Sequence, residues 1–252
     1  EKLAPMMLAG VPTIIKPASQ TAYLTELMVR HIIESGILPE GAIQLVCGST
    51  GDLLTHLDCQ DAVSFTGSAT TGLMLKQQKT IVENSVRFYM EADSLNCSIL
   101  GKDVEPGSVE FDLYIKEVAR EMTVKAGQKC TAIRRAIVPA DRMDAVAEAL
   151  SARLAKISVG DPECDGVRMG ALAGLDQRED VRQRVQQLAE HNEIIFGDPA
   201  NVDVAGAEAE NGAFMSPVLF ACNHENAAVH DVEAFGPVST LIPYQDEEEA
   251  VA

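Results

Sequence analysis

Cys130 follows Gly127-Gln128-Lys129, and a thiol in that setting can be a nucleophile. A cysteine attacks as its thiolate. A flexible glycine turn that set the sulfur at a helix start would favour the thiolate through the helix dipole. Lys125, Lys129, Arg134 and Arg135 surround it in sequence, a cluster of cations in a chain whose formal net charge is -18. On spacing alone the same residues also describe a buried small hydrophobe beside a solvated basic loop. A second group is Gly67-Ser-Ala-Thr-Thr-Gly72, which follows the strand-like Ala62–Thr66 and opens a helix, with Ser68 placed to cap it. Backbone N–H groups at such a turn can cradle a diphosphate. The pattern is not GxGxxG, and an ordinary strand-to-helix turn shares it. Glu91 closes a β-rich run, where a carboxylate is either a general base or a solvated, ion-paired group.

These residues need elements to hold them. Residues 11–90 alternate strand and helix signals: strands at Val11–Ile15, Ile43–Val46, Ala62–Thr66 and Ser85–Met90, with helices over Thr21–Ser35, Asp52–Leu57 and Ser68–Gln77 between them. Leu24, Leu27, Met28, His31 and Ile32 recur at helical spacing, and Gly36 closes that helix. Such alternation predicts parallel βαβ units with ligands at the carboxyl ends of the strands. After Glu91 the texture changes. A loop with Gly101, Pro106 and Gly107 leads to a helix over Asp112–Lys125; then come a strand at Arg135–Val138 and helices over Met143–Ile157 and Gln177–His191. Gly197–Gly212 reads as an exposed polar loop, and Met215–Phe220 as an edge strand, because Pro217 cannot donate to a ladder. The boundary between two domains is expected at Glu91–Asn96, giving residues 1–91 and 92–252.

The composition suits an α/β protein: 46% of residues are hydrophobic but only 4% aromatic, so the core is aliphatic. A net charge of -18 repels phosphate backbones and anionic membranes, and no apolar run approaches the ~20 residues of a spanning helix. No nucleic-acid or membrane partner is expected. Cys47, Cys59, Cys97, Cys130, Cys164 and Cys222 stand singly with no ligand-like spacing to histidines, so no metal site is expected, and a reducing cytoplasm is the expected compartment. The sequence opens at Glu1 rather than Met and is read as a piece of a longer chain lacking both ends.

Taken together the motifs resemble the aldehyde dehydrogenase superfamily. Lys16-Pro-Ala-Ser19 is similar to the family segment that holds the adenosine ribose, and Phe65-Thr-Gly-Ser68 with Gly72 to its pyrophosphate turn. Met90-Glu91 resembles the site of its general base, Gly127-Gln-Lys-Cys130 its nucleophile motif, and Glu233-Ala-Phe-Gly-Pro237 the motif whose Glu holds the nicotinamide ribose. All five occur in the family's order. Within the family, Met90–Asn96 and Ala126–Arg135 resemble the aldehyde dehydrogenase half of the bifunctional ring-opening proteins of phenylacetate degradation, whose hydratase domain lies further along and is absent here.

The resemblance implies a Rossmann-like parallel-sheet cofactor domain and an α/β catalytic domain. It implies Cys130 as nucleophile and Glu91 as general base, with Lys16, Ser19, Gly48, Thr66, Gly67, Ser68, Gly72, Glu233 and Phe235 on the cofactor. That cofactor is expected to be NADP, with NAD possible. The implied substrate is an aldehyde, specifically a CoA-linked semialdehyde, and the full-length protein is expected to be a homo-oligomer. The implied chemistry is attack of the thiolate on the aldehyde, hydride loss to leave a thioester, and hydrolysis by water that Glu91 activates in an apolar tunnel. Two alternatives stay open: a CoA-acylating enzyme, which generally lacks the Glu, and a truncated chain with a binding role only. The chain departs from the family at Ala92-Asp-Ser-Leu95, where Leu-Gly-Gly-Lys is usual, and at Ser19, where a Glu is usual. The family's oxyanion-hole Asn and its oligomerisation segment are expected outside this sequence.

Overall fold

The computed structural model describes residues 2–222 and 228–251. The chain forms two compact units, Glu1–Asp93 and Ser94–Ala252.

The first unit runs α1 (Leu3–Leu8), β1 (Thr13–Ile15), α2 (Ala22–Glu34), β2 (Ile43–Leu45), β3 (Ala62–Gly67), α3 (Ala69–Lys76), α4 (Lys79–Glu83) and β4 (Arg87–Ala92). Both strand pairs are parallel, as the alternation predicts: Thr13 to Ile15 face Ile43 to Leu45, and Ala62 to Gly67 face Arg87 to Ala92. They form two separate two-stranded sheets, not one continuous sheet. The helical stripe on α2 does not form the inner face that its spacing suggests. Leu24, Leu27 and Met28 are 48–55% exposed, and Val29 is the buried residue of that helix. The physical reason is that α2 has a narrow two-stranded sheet to cover, so one residue column is enough.

The second unit runs β5 (Cys97–Ile99), α5 (Val109–Thr123), β6 (Arg135–Pro139), α6 (Met143–Leu154), β7 (Val159–Gly160), α7 (Leu175–Ala189), β8 (Glu193–Phe196), β9 (Val204–Ala205), β10 (Val218–Ala221), α8 (Ala228–Asp231), β11 (Val238–Tyr244) and α9 (Glu247–Val251). Its main sheet has the order β5-β6-β11-β10-β8, parallel except for β8. Strand alternation sends neighbours to opposite faces. Val218 and Phe220 join a core with Val181, Val185 and Leu188 of α7, while Leu219, Ala136 and Val138 join one with α5 and α6. The result is a sheet covered by helices on both sides.

The expected edge strand at Met215–Phe220 is an interior one. β10 starts at Val218, after Pro217, so the proline removes no donor from the ladder, and Val218 N–H bonds to the Pro237 carbonyl at 2.9 Å. Gly197–Gly212 is mostly exposed but contains β9, which pairs with β7. β11 carries no clean alternation and includes Pro243. That proline lies past Leu241, the last residue paired with β10, so one neighbouring strand has already ended there.

Candidate functional site

The nucleophile motif sits on a sharp backbone reversal. α5 ends at Thr123, and Lys125 (φ 54°), Ala126 (φ 51°) and Gly127 (φ 69°) follow in the left-handed region. Two of these are not glycine, each at a cost of ~1–2 kcal/mol. The turn therefore needs outside support, and it has it. The Cys130 carbonyl accepts from Asn96 Nδ2 at 2.6 Å and from Ser94 Oγ at 3.0 Å. Asn96 Nδ2 also reaches the Ala132 carbonyl, and the Asn96 carbonyl accepts from the N–H groups of Arg134 and Arg135. Gln128 Oε1 accepts from Ala173 N–H at 2.8 Å. Cys130 is thus held from behind by its backbone and is exposed in front.

Two expectations about this loop are corrected. No helix begins at Cys130, which lies in a turn, so no helix dipole acts on its sulfur. Three of the neighbouring cations are spent elsewhere. Lys129 Nζ pairs with Glu121 at 2.6 Å, and Arg135 bonds the Leu95 carbonyl and meets His230 Nδ1. Arg134 is buried and donates to two backbone carbonyls, Gly236 at 2.6 Å and Gly127 at 2.7 Å. Burial without full neutralisation pushes the Arg134 guanidinium down to about 10, with Glu233 opposing the shift.

The Glu233–Pro237 loop lies against this turn. Glu233 Oε2 accepts from Ser94 N–H at 3.1 Å, and its Oε1 stands 3.9 Å from Arg134 Nε. Phe235 presents its ring to the Arg134 guanidinium, 5.4 Å from carbon to centroid. A Cβ on Gly127 would run into the Gly236 carbonyl group, approaching its carbon to 2.5 Å. Only glycine permits that approach, so the two motifs, remote in sequence, are in backbone contact.

The remaining motif residues lie in the first unit. Lys16, Ser19 and Gly48 follow the carboxyl ends of the paired strands β1 and β2. Lys16 and Ser19 are exposed, and Ser19 starts a single 3-10 turn without capping a helix. Gly48 has φ 104°. Thr66 and Glu91 are register partners at the ends of β3 and β4, and Thr66 Oγ1 donates to Glu91 Oε2 at 3.3 Å. Glu91 is 52% exposed, with Lys2 Nζ at 4.0 Å, so the enclosed apolar surroundings expected of it are not formed by the described residues. Ser68 Oγ caps α3 by accepting from Thr71 N–H at 3.3 Å. Gly67 is crowded by the Phe65 ring, and Gly72 is buried against Phe65 and Met90, so neither position admits a side chain without movement.

These groups fit a nicotinamide dinucleotide by their chemistry. Lys16 and Ser19 offer a cation and a hydroxyl to a ribose or its phosphate, and the exposed Gly67 can let its backbone approach a diphosphate. Glu233 offers a carboxylate to a diol. One feature opposes part of that fit: Asp93 Oδ1 accepts from Ala69 N–H at 3.0 Å, taking one donor of the α3 start. Among the described residues no group of three or more His, Cys, Asp or Glu side chains is placed to hold a metal ion. No helix among them is long and apolar enough to cross a membrane.

Ser94, Asn96, Arg134 and Asp93 were not singled out individually for these roles by sequence. Asp93 and Ser94 fall within the departure from the usual Leu-Gly-Gly-Lys, and Asn96 follows directly after it. That departure was the signal for Ser94 alone: its hydroxyl, standing where a glycine is usual, donates to the nucleophile's carbonyl.

Comparison with known proteins covers the whole chain. The sequence model of the Aldehyde dehydrogenase family matches residues 1–252. The chain is 48% identical over 254 residues to 3,4-dehydroadipyl-CoA semialdehyde dehydrogenase of Aromatoleum evansii, covering 100% of this chain and 49% of the relative. It is 30% identical to 3-succinoylsemialdehyde-pyridine dehydrogenase of a Pseudomonas species, covering 99% of this chain and 51% of that protein. Among solved structures, betaine aldehyde dehydrogenase of Staphylococcus aureus with NAD+ aligns with a TM-score of 0.85 at 27% identity, over 99% of this chain and 48% of its own. Aldehyde dehydrogenase C of Pseudomonas syringae with NAD+ and octanal aligns at 0.86 and 28%, over 100% and 50%. The chain spans about half the length of the relatives it matches.

Proposed function

Because this chain belongs to the aldehyde dehydrogenase family, we propose that it carries the nucleophile and much of the cofactor site of an NAD(P)-dependent aldehyde dehydrogenase. In this reading the first unit is part of the cofactor-binding domain and the second is catalytic. The observation that carries the proposal is Cys130 itself: an exposed cysteine on a strained turn whose carbonyl is held by Ser94 and Asn96. Strain kept in place by such support is a mark of functional loops.

Lys16, Ser19, Gly67, Ser68, Gly72, Glu233 and Phe235 would hold the dinucleotide, which when bound supplies the hydride acceptor. Cys130 Sγ, as thiolate, forms a bond to the aldehyde carbon, and the carbonyl π-pair moves to oxygen. The Cys130 N–H is available as one donor to that oxyanion. Loss of hydride from the carbon leaves a thioester on Cys130. Glu91 takes a proton from water, the hydroxide adds to the thioester carbon, and the carbon–sulfur bond breaks to give the carboxylic acid and the Cys130 thiolate, with the Glu91 proton passing to solvent. Glu91 favours water over CoA as acyl acceptor.

The substrate class proposed is a semialdehyde joined to CoA through a thioester, on the strength of the relative that is 48% identical. The test is to offer the purified protein a CoA-linked semialdehyde and the free semialdehyde, each with NAD+ and NADP+, and to follow reduced nicotinamide. Aldehyde-dependent reduction is expected, with the CoA thioester giving the higher kcat/KM. Reduction with neither aldehyde overturns the activity. Equal efficiency overturns the substrate class.

A further inference from the structure

Arg134 stands between the two loops that carry Cys130 and Glu233, and its environment is unusual for an arginine. Its side chain is 4% exposed. One guanidinium nitrogen donates to the Gly127 carbonyl at 2.7 Å and another to the Gly236 carbonyl at 2.6 Å. The base of the side chain is anchored equally well. Arg134 N–H donates to the Asn96 carbonyl, and its carbonyl accepts from Thr240 N–H at 2.9 Å and Ser239 Oγ at 3.3 Å. The guanidinium lies over Phe235, and its Nε faces Glu233 at 3.9 Å.

Stability is a poor explanation for this arrangement. A buried charge costs several kcal/mol of desolvation, and a well-packed apolar side chain of the same size is often as stable or more so. What an apolar side chain cannot do is bridge two carbonyls. The planar guanidinium offers donors in a fixed fork, so two bonds to two loops set their separation and tilt together. Lysine has the charge but one flexible nitrogen.

We infer that Arg134 is a positioning residue that locks the Cys130 turn to the Glu233–Pro237 loop, holding the nucleophile and the proposed nicotinamide-ribose contact in one register. The inference rests on the proposed roles of Cys130 and Glu233. Gly127 and Gly236 complete the lock, since their backbones meet where any side chain on Gly127 would collide. Arg134 acts through the two carbonyls.

The experiment compares wild type with Arg134→Met and Arg134→Lys. A third variant, Arg142→Met, is the control for loss of a partly buried arginine, whose bond to Glu105 is at 2.6 Å and which contacts neither loop. For each, kcat, the cofactor KM, the pre-steady-state burst of reduced nicotinamide and Tm are measured well below the lowest Tm. If wild type itself oxidises no aldehyde, the underlying reading fails and Arg134 is not at issue. With an active wild type, Arg134→Met should raise the cofactor KM and slow the burst together, each by about tenfold or more, the scale of a small misplacement of reacting groups. Arg134→Lys should recover Tm at least in part but keep both kinetic defects. Arg142→Met should change Tm alone. Should Arg134→Met fail to fold, Arg134→Lys decides the matter. Wild-type KM and burst in Arg134→Lys, or a defect in Tm alone, would overturn the lock.

Discussion

Asn96 Nδ2 donates to the carbonyl oxygen of Cys130 at 2.6 Å, and the same nitrogen reaches the Ala132 carbonyl at 3.3 Å. One amide therefore straddles the nucleophile and fixes the direction of its peptide. Asn96→Ala removes both bonds, leaving the Cys130 carbonyl with Ser94 Oγ alone and the Ala132 carbonyl without this donor. The expected cost is ~1–3 kcal/mol of stability, read as a lower denaturant midpoint at unchanged m-value. In the active protein kcat should fall about tenfold to hundredfold, through misplacement of the sulfur. A variant with wild-type kcat would show that Ser94 and the turn suffice.

Cys130→Ala should abolish aldehyde oxidation while cofactor binding, followed by quenching or calorimetry, persists. The remaining cysteines differ in setting: Cys47, Cys59 and Cys97 are exposed, Cys164 is half-buried and Cys222 is buried. Their alanine variants should keep most of the activity, with Cys222 showing a fall in Tm. Activity surviving in Cys130→Ala would remove the nucleophile assignment.

Glu91→Gln tests deacylation. The carboxylate accepts from Thr66 Oγ1 at 3.3 Å, and Gln keeps a carbonyl oxygen for that bond. Fold and hydride transfer should survive. A stopped-flow burst of about one reduced nicotinamide per active site is expected, followed by slow or absent turnover, because the acyl-enzyme forms once and persists. Steady turnover at the wild-type rate would leave Glu91 a surface carboxylate and no more.

Ser19 is expected to allow NADP. It is exposed and caps no helix, so its hydroxyl is free of a capping role, and Lys16 lies on the same strand end. A Glu at this position would repel a 2′-phosphate and accept from ribose hydroxyls. Ser19→Glu should shift the kcat/KM ratio toward NAD by roughly tenfold to hundredfold, or ~1–3 kcal/mol. An unchanged ratio would mean that the phosphate is read elsewhere.

Gly127→Ala probes the contact between the two motif loops. The position has φ 69°, and a Cβ there would approach the Met122 carbonyl oxygen to 2.8 Å besides striking Gly236. Strain and overpacking together should cost ~2–5 kcal/mol. The measurement is equilibrium unfolding, and a loss below ~1 kcal/mol would show that the loops separate easily.

The amino-acid sequence by itself determined the α/β class, the parallel strand pairs and the segments that carry Cys130, Glu91 and Glu233. Those follow from local rules: period-2 and period-3.6 patterning, glycine at turns, and a run of motifs in a fixed order. It also marked Ala92–Leu95 as departing from the family pattern. The tertiary structure decided the rest, because each remaining point depends on which remote residue arrives. β11 lacks a clean alternation, yet it is central because β6 and β10 flank it. The apolar spacing of α2 described a helix correctly but not which face it buries, since that depends on the width of the sheet beneath it. Arg134 is the clearest case. In sequence it is one cation among four near the nucleophile; in the fold it is turned inward to the carbonyls of Gly127 and Gly236. Charge is a property of the residue, but what a charge does is set by the nearest acceptors, and here one of the two, Gly236, belongs to a loop 102 residues away.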